Sequence, residues 1–352
     1  MHAITVAIDL AKDVFELAFA DERGQVVERK RLSRRTFARA LEQRPPLRVL
    51  MEACGSAHYW ARRFQGQGHA VRLLPARDVR PYVRGNKTDR NDVAGILEAD
   101  RCGDIAGVPV KTPEQQGIQA LHRLREHLKA ERTATINLLR GVLREFGLTI
   151  PAGALKVPAA VRDALEDGDN ELPMSLRYSL DEQLQRLAQM QGNMAAIEQR
   201  LDEFATRDAA VQRYRRVPGV GLLTATALRA SAGDLSRFRN GRQFAAWLGL
   251  TPREHSSGQQ RRLGGMTKRG DVHLRTLLVH GARAVLQAAR LKQRRGQALD
   301  PLQAWALKVQ DTRGHNKAAC ALANKLARRL WAMEHHGRAF DPQHVSQRPI
   351  AR

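Results

Sequence analysis

The sequence predicts an α/β domain followed by a longer, mainly α-helical part. Two patterns carry this reading. Up to Leu74, short β-rich segments come first as a meander and then alternate with a helix, the order of a mixed sheet. From Pro113 onward apolar residues recur every three or four positions, the period of helices buried on one face.

The elements follow in order. Ile4–Leu10 alternates and is β-rich, Val14–Ala20 follows as a second strand, Asp21–Gly24 (DERG) marks a turn, and Val26–Lys30 returns as a third strand. Arg48–Met51 and Val71–Leu74 are short apolar strands with a helical stretch over Ala57–Gln65 between them. Ile118, Leu121, Leu124, Leu128, Ile136, Leu139, Leu143 and Phe146 then keep helical spacing until Gly147. Pro151, Gly153, Pro158, Gly168 and Pro173 break regular structure and predict a linker. Leu180, Leu184, Leu187, Met190, Met194, Ile197, Leu201 and Phe204 form a near-heptad seam. It suits either a coiled coil or helical hairpin, or a surface helix packed on its own domain. The expected division is 1–150 for the α/β domain, 151–210 for linker and coiled-coil segment, 211–340 for the C-terminal domain and 341–352 for a flexible tail.

A chain of 352 residues with a hydrophobic fraction of 43% is globular and has room for two or three cores. Lys+Arg number 59 against Asp+Glu 36, a formal net charge of +23. Such a charge points to nucleic acid, either as an enzyme's substrate or as the partner of a structural protein. Cys54, Cys102 and Cys320 lie far apart without zinc-ligand spacing, so neither structural zinc nor a disulfide framework is expected. No apolar run approaches the ~20 residues of a membrane span. The stretch MHAITVAIDLAKD carries an acid where a signal peptide stays apolar, so the expected location is the cytoplasm, at the nucleoid.

Against this basic background four acids stand out: Asp9 and Glu52 at strand ends, and Asp89 and Asp92 at the start of a helix. If the two strands are neighbours, their carboxylates leave the sheet at one edge, and residues three apart share a helix face. Clustered carboxylates need protons, basic partners or metal, and Mg²⁺ (or Mn²⁺) held there stabilises phosphoryl transfer. Taken singly the same residues read as a helix N-cap (Asp89), a first-turn acid and solvated strand ends.

In the second half, VPGVGLLTATAL at Val217–Leu228 has the form of a helix-hairpin-helix element. Gly219 and Gly221 allow a tight turn whose N–H groups hold a phosphate; a plain helical hairpin is the other reading. A Gly- and Ser-rich loop after Gly249 is crowded by Arg253, His255, Arg261, Arg262, Lys268 and Arg269, with Arg275 on the helix that starts near Val272. A serine among these cations is either a nucleophile toward phosphate or part of a loop that only grips the backbone. His280 and Arg283 have the HxxR spacing of tyrosine recombinases, but the last tyrosine is Tyr214, so that reading fails. The adjacent His335 and His336 read as surface residues rather than metal ligands.

These motifs together resemble the transposases of IS110/IS1111-type insertion sequences. AIDLAKD, MEACGSAHYW and KTDRNDVAGILEA resemble their RuvC-like DEDD domain; RVPGVGLLTATAL, FAAWLGLTPREHSSG and GGMTKRGDVHLRTLLVHGAR resemble their transposase domain. The resemblance spans nearly the whole chain. It implies an RNase H-like fold in which Asp9, Glu52, Asp89 and Asp92 bind Mg²⁺. It also implies a catalytic serine directly before a glycine, which selects Ser257, with Ser256 next in line. Many members continue SSGGK where this chain reads Ser257-Gly258-Gln259-Gln260, leaving Arg261 or Arg262 to replace the lysine. The family further implies a covalent serine–DNA intermediate and a homo-oligomer, dimer or tetramer, in which the acids assist from another subunit. In some members a structured non-coding guide RNA selects target and donor.

Two other functions fit parts of the sequence. A metal-dependent nuclease of the Holliday-junction resolvase type would use the acids with water as nucleophile, and a non-catalytic scaffold would use the charge alone.

Overall fold

The computed structural model describes residues 3–86, 88–258 and 260–344; Lys87 and Gln259, each within a motif above, and most of the expected tail lie outside them. The chain forms two compact units, Met1–Glu114 and Gln115–Arg352.

The first unit contains β1 (Thr5–Leu10), β2 (Val14–Ala20), β3 (Val26–Ser33), α1 (Arg34–Phe37), β4 (Arg48–Glu52), α2 (Ala57–Gly66), β5 (Ala70–Leu74), α3 (Ala76–Val79) and α4 (Asp89–Arg101). The sheet order is β3-β2-β1-β4-β5. Strands β1, β4 and β5 run parallel, while β2 and β3 form the antiparallel meander that the turn at Asp21–Gly24 predicts.

Because side chains alternate across a strand, the sheet has two distinct faces. Val6, Ile8, Phe15, Leu17, Val49 and Met51 pack with Phe37, Trp60 and Phe64 of α1 and α2. Within that layer Phe15 and Phe37 stack with centroids 4.1 Å apart. On the other face Ala7, Ala18, Leu50 and Leu74 lie under Val93, Ile96 and Ala99 of α4. The small Ala7 and Ala18 let the helix lie close. Asp100 fixes its far end: buried, it accepts from Arg48 at 2.8 Å and also from Arg72.

The second unit is helical: α5 (Pro113–Glu145), α6 (Val157–Glu166), α7 (Met174–Arg207), α8 (Ala209–Arg215), α9 (Leu222–Ser231) and α10 (Gly241–Trp247). A two-stranded hairpin of β6 (Pro252–Glu254) and β7 (Leu263–Met266) interrupts it, and α11 (Val272–Arg294), α12 (Pro301–Arg313) and α13 (His315–His336) complete it. Its largest core gathers Leu228, Phe244, Leu278, Leu322 and Leu326 from α9, α10, α11 and α13.

Three features bear on the expected division. The first compact unit ends at Glu114, and Ile136, Leu139 and Leu143 of α5 pack with Val157, Val161, Leu180 and Leu184 of α6 and α7. The expected linker holds α6, whose Pro158 sits in the first turn, where proline costs no hydrogen bond. The seam of α7 is buried within the single chain at all eight positions. Its partners are α5, α6 and the C-terminal core, and ion pairs Arg125–Glu198 and Arg186–Glu131 set an antiparallel α5–α7 hairpin. Its apolar stripe is therefore already covered.

Candidate functional site

The acidic positions follow from the sheet's pleat and the helix's period. β1 and β4 are parallel neighbours with Ile8 opposite Met51, so Asp9 and Glu52 stand side by side one step further on. Both continue the face of Ala7 and Leu50, the face that α4 covers. On α4, Asp89 and Asp92 precede the buried Val93, Ile96 and Ala99 at three- and four-residue spacing, so they extend the stripe that meets the sheet. Thr88, not Asp89, is the N-cap, its side chain accepting from the Asn91 N–H. Both aspartates lie in the first turn, where the helix dipole favours negative charge.

Asp9 feels the other three carboxylates. The pKa of Asp9 is pushed up to about 6, first by burial and then by the charges of Asp92, Asp89 and Glu52. Arg31 approaches Asp89 only at 3.8 Å between exposed groups, which compensates little. Among the described residues no group of three or more His, Cys, Asp or Glu side chains is placed to hold a metal ion together. An all-oxygen donor set with excess negative charge suits a hard divalent cation, and Mg²⁺ keeps several waters and needs only one or two carboxylates directly. The donor chemistry therefore fits Mg²⁺ or Mn²⁺.

Behind this edge, the MEACGSAHYW motif is mostly structural. Trp60 is buried in the aromatic layer. His58 accepts the Lys111 N–H, and burial beside Lys111 and Arg62 lowers its pKa to about 4, so it stays neutral.

The serines occupy the β6–β7 hairpin of the second unit. Ser257 and Gln260 exchange backbone hydrogen bonds at 3.1 and 3.3 Å, closing the tip. Gly258 follows Ser257 with φ 56°, a left-handed conformation that glycine adopts without strain. Ser256 is held differently: its hydroxyl donates to Glu254 Oε1 at 2.8 Å and accepts the Arg262 N–H at 3.1 Å. Arg261 Nε also donates to Glu254, at 3.2 Å. The Ser256 hydroxyl is thus committed to a cross-strand clasp, while Ser257 is fixed through its backbone.

Two family models and several relatives match the chain. The DEDD transposase model of the IS110 type, described as transposase, matches residues 6–147, and the transposase IS116/IS110/IS902 family model matches residues 211–297. A probable family 20 transposase of Pseudomonas aeruginosa is 43% identical over 334 residues, 95% of this chain and 97% of the relative. The transposase for insertion sequence element IS1111A of Coxiella burnetii is 39% identical over 328 residues, 93% of this chain and 88% of the relative. That for IS1328 of Yersinia enterocolitica is 37% identical over 336 residues, covering 95% and 98%. The chain belongs to the IS110/IS1111 family of transposases.

Within this transposase the remaining expected residues separate into exposed cations and internal supports. Arg253, Arg261, Arg262, Lys268 and Arg269 are exposed around the hairpin. Arg275 is not among them: it is buried, and its Nη1 donates to the Leu248 carbonyl at the end of α10, so it serves the fold rather than a phosphate. Gly219 turns at φ 82° and packs on Gly281 of α11, where any added Cβ would collide, whereas Gly221 is exposed at the start of α9. Gly249 and Gly270 play the same part at the hairpin's root: a Cβ on Gly270 would lie 2.2 Å from the Trp247 carbonyl oxygen. The conspicuous LGL and KRGD motifs thus lock the hairpin onto α10. His335 and His336 are exposed and cluster with Trp331, as surface residues do. Sequence reasoning missed Glu254 and Asp100. Only the close spacing of Glu254 to the serines signalled the first, and nothing local signalled the second.

No helix among the described residues is long and apolar enough to cross a membrane.

Proposed function

We propose that this transposase excises and inserts its own insertion sequence by cutting and rejoining DNA through Ser257, with Asp9, Glu52, Asp89 and Asp92 holding Mg²⁺ or Mn²⁺. The carrying observation is geometric: Asp9 and Glu52 end adjacent parallel strands on the sheet face covered by the helix whose first turn holds Asp89 and Asp92, and burial together with these acids raises the pKa of Asp9. The β3-β2-β1-β4-β5 order, with acids at the ends of the two parallel strands, supports an RNase H-like domain. Bound there, the metal would supply Lewis-acid stabilisation of charge on the phosphate oxygens.

The serine step balances simply. The Ser257 oxygen forms a bond to phosphorus as the bond to one bridging sugar oxygen breaks; the serine proton leaves and the departing oxygen is protonated. A strand hydroxyl then attacks the phosphoserine, releases Ser257 and restores a phosphodiester. Arg253, Arg261 and Arg262 supply positive charge around the tip where charge on the phosphate grows. The α8–α9 hairpin is read as the helix-hairpin-helix element that grips the DNA backbone through the exposed Gly221 end. The chain acts as a homo-oligomer, dimer or tetramer, with the acids assisting from another subunit, and a structured non-coding RNA guides it.

The test is a suicide-free cleavage assay on element-end DNA, resolved in denaturing gels with protein retained. Wild type should give a DNA-linked adduct, Ser256→Ala should still form it, though more slowly, and Ser257→Ala should lose it along with strand exchange. Cleavage without any adduct, stopped by Asp9→Asn alone, would instead favour a water-using nuclease. Strand exchange by Ser257→Ala at the wild-type rate would remove the serine from the chemistry.

A further inference from the structure

The second unit contains a cavity of about 1370 Å³ between α10, α12, α13, the root of the β6–β7 hairpin and the segment 338–344. It exceeds the ~300–1,000 Å³ usual for small-molecule sites. Arg242, Lys317, Lys325, Arg328, Arg329 and Arg338 line it, against a single acid, Asp341. None of the six cations takes part in an ion pair among the described residues.

Two of these cations are partly buried. Lys325 Nζ sits 4.0 Å above the Trp305 ring, and Arg329 lies over Phe340 at 5.5 Å. Arg329 donates through Nη2 to the His344 carbonyl, while its buried Nη1 has no hydrogen-bond acceptor among the described residues. Burial and the neighbouring Arg329 and Arg328 lower the pKa of Lys325, and burial lowers that of Arg329 against the opposing pull of Asp300 and Asp341. Like charges crowded in a partly dry cavity oppose their own placement, and an anion relieves them. The walls also carry flat apolar rings, Trp305, Trp331 and Phe340. Phosphate-binding cations interleaved with aromatic faces are what a strand with unpaired bases needs, whereas a duplex hides its base faces.

We propose that this cavity binds a single-stranded polynucleotide segment, its phosphates on Lys325 and Arg329 and a base against Trp305 or Phe340. Pro252, Gly264 and Gly265 form part of its wall, so the bound strand runs at the root of the hairpin that carries Ser257. The inference rests on the nucleic-acid reading above but not on the serine mechanism, and it is tested without any cleavage.

The full-length protein is titrated with fluorescent oligothymidylate, oligouridylate and a mixed-sequence duplex, and in parallel photocrosslinked to 4-thiothymidine- and 4-thiouridine-containing strands. Crosslinked peptides from Trp305, Trp331 or Phe340 are expected. Lys325→Gln/Arg329→Gln should weaken single strands about tenfold and duplex far less, with the unfolding temperature retained. Trp305→Leu, which keeps the charges, should reduce crosslinking and weaken single strands without changing the salt dependence. The ratio of the two oligonucleotide affinities identifies DNA or RNA as the ligand. Crosslinks confined to other segments would overturn the proposal, as would equal losses for duplex and single strand. A lost serine–DNA adduct with these results intact would sink the serine mechanism alone.

Discussion

The acidic edge of the first unit and the serine hairpin of the second present reactive side chains by opposite means. Asp9, Glu52, Asp89 and Asp92 need no local device: two are the next residues of paired strands and two are the first turn of a helix. Ser257 sits at the tip of a short, exposed hairpin and depends on a glycine lock at the root and a side-chain clasp across the strands. Regular elements position by period; a loop positions by specific contacts. The first arrangement should therefore yield to changes that move whole elements, and the second to single atoms.

Moving an element gives the largest expected effect. Asp100 anchors α4 to β4 and β5 through Arg48 and Arg72. Asp100→Ala removes the buried acceptor shared by the exposed Arg48 and the partly buried Arg72, and should cost about 2 kcal/mol. Thermal unfolding with and without Mg²⁺ measures it, and any metal-dependent stabilisation should shrink because the helix start carries Asp89 and Asp92. An unchanged unfolding temperature would mean α4 is held by its apolar stripe alone.

At the hairpin root, Gly270→Ala pushes a methyl into the Trp247 and Leu248 backbone, at 2.2 and 2.4 Å, where nothing flexible can yield. It should cost about 2 kcal/mol and depress adduct formation further than that loss explains. The matching change at the acidic edge, Gly55→Ala, meets nothing within 4 Å and should be silent in both assays. Equal effects from the two would erase the distinction between the regions.

The clasp is the next smaller effect. Glu254 receives the Ser256 hydroxyl and Arg261, and both bonds hold its pKa below the usual glutamate range. Glu254→Gln keeps the shape but weakens both bonds, and should slow adduct formation about tenfold with substrate binding unchanged. Ser256→Ala should behave alike. If either change altered affinity and not rate, the clasp would serve DNA contact rather than serine placement.

How much was legible from sequence follows the same division. Five strands and α2 appear within a few residues of their expected limits, because pleat and turn residues are local signals. So does the meeting of Asp9 with Glu52, which follows from parallel neighbours. The heptad seam of α7 was read correctly as apolar, but period alone cannot name its partner; α5 and α6 fill it within the chain. Pro158 misled, since proline opens a helix as readily as it ends one. Arg275 misled for a different reason: a cation beside a basic loop looks exposed until its carbonyl partner, Leu248, is seen. The clasp and the basic cavity join residues brought together only by tertiary packing.

The remaining expected effect bears directly on the acids, and its sign is fixed. An unfolded aspartate loses its proton near 3.8, whereas folded Asp9 holds it until about 6. Between those values the folded protein binds more protons, so Asp9 makes stability fall as pH rises through this window, with the loss complete above it. Asp9→Asn carries no charge and escapes that loss. Without metal the variant should gain on wild type from about pH 4 to pH 6 and hold the gain beyond. Added Mg²⁺ should reverse the order, because only the carboxylate rewards the ion with a ligand and the ion in turn lowers its pKa. Unfolding temperatures of the two proteins across this range, with and without Mg²⁺, give four curves. Parallel profiles in both pairs would show that Asp9 is a solvated strand end, and the acidic edge would lose the property that distinguishes it from four ordinary surface carboxylates.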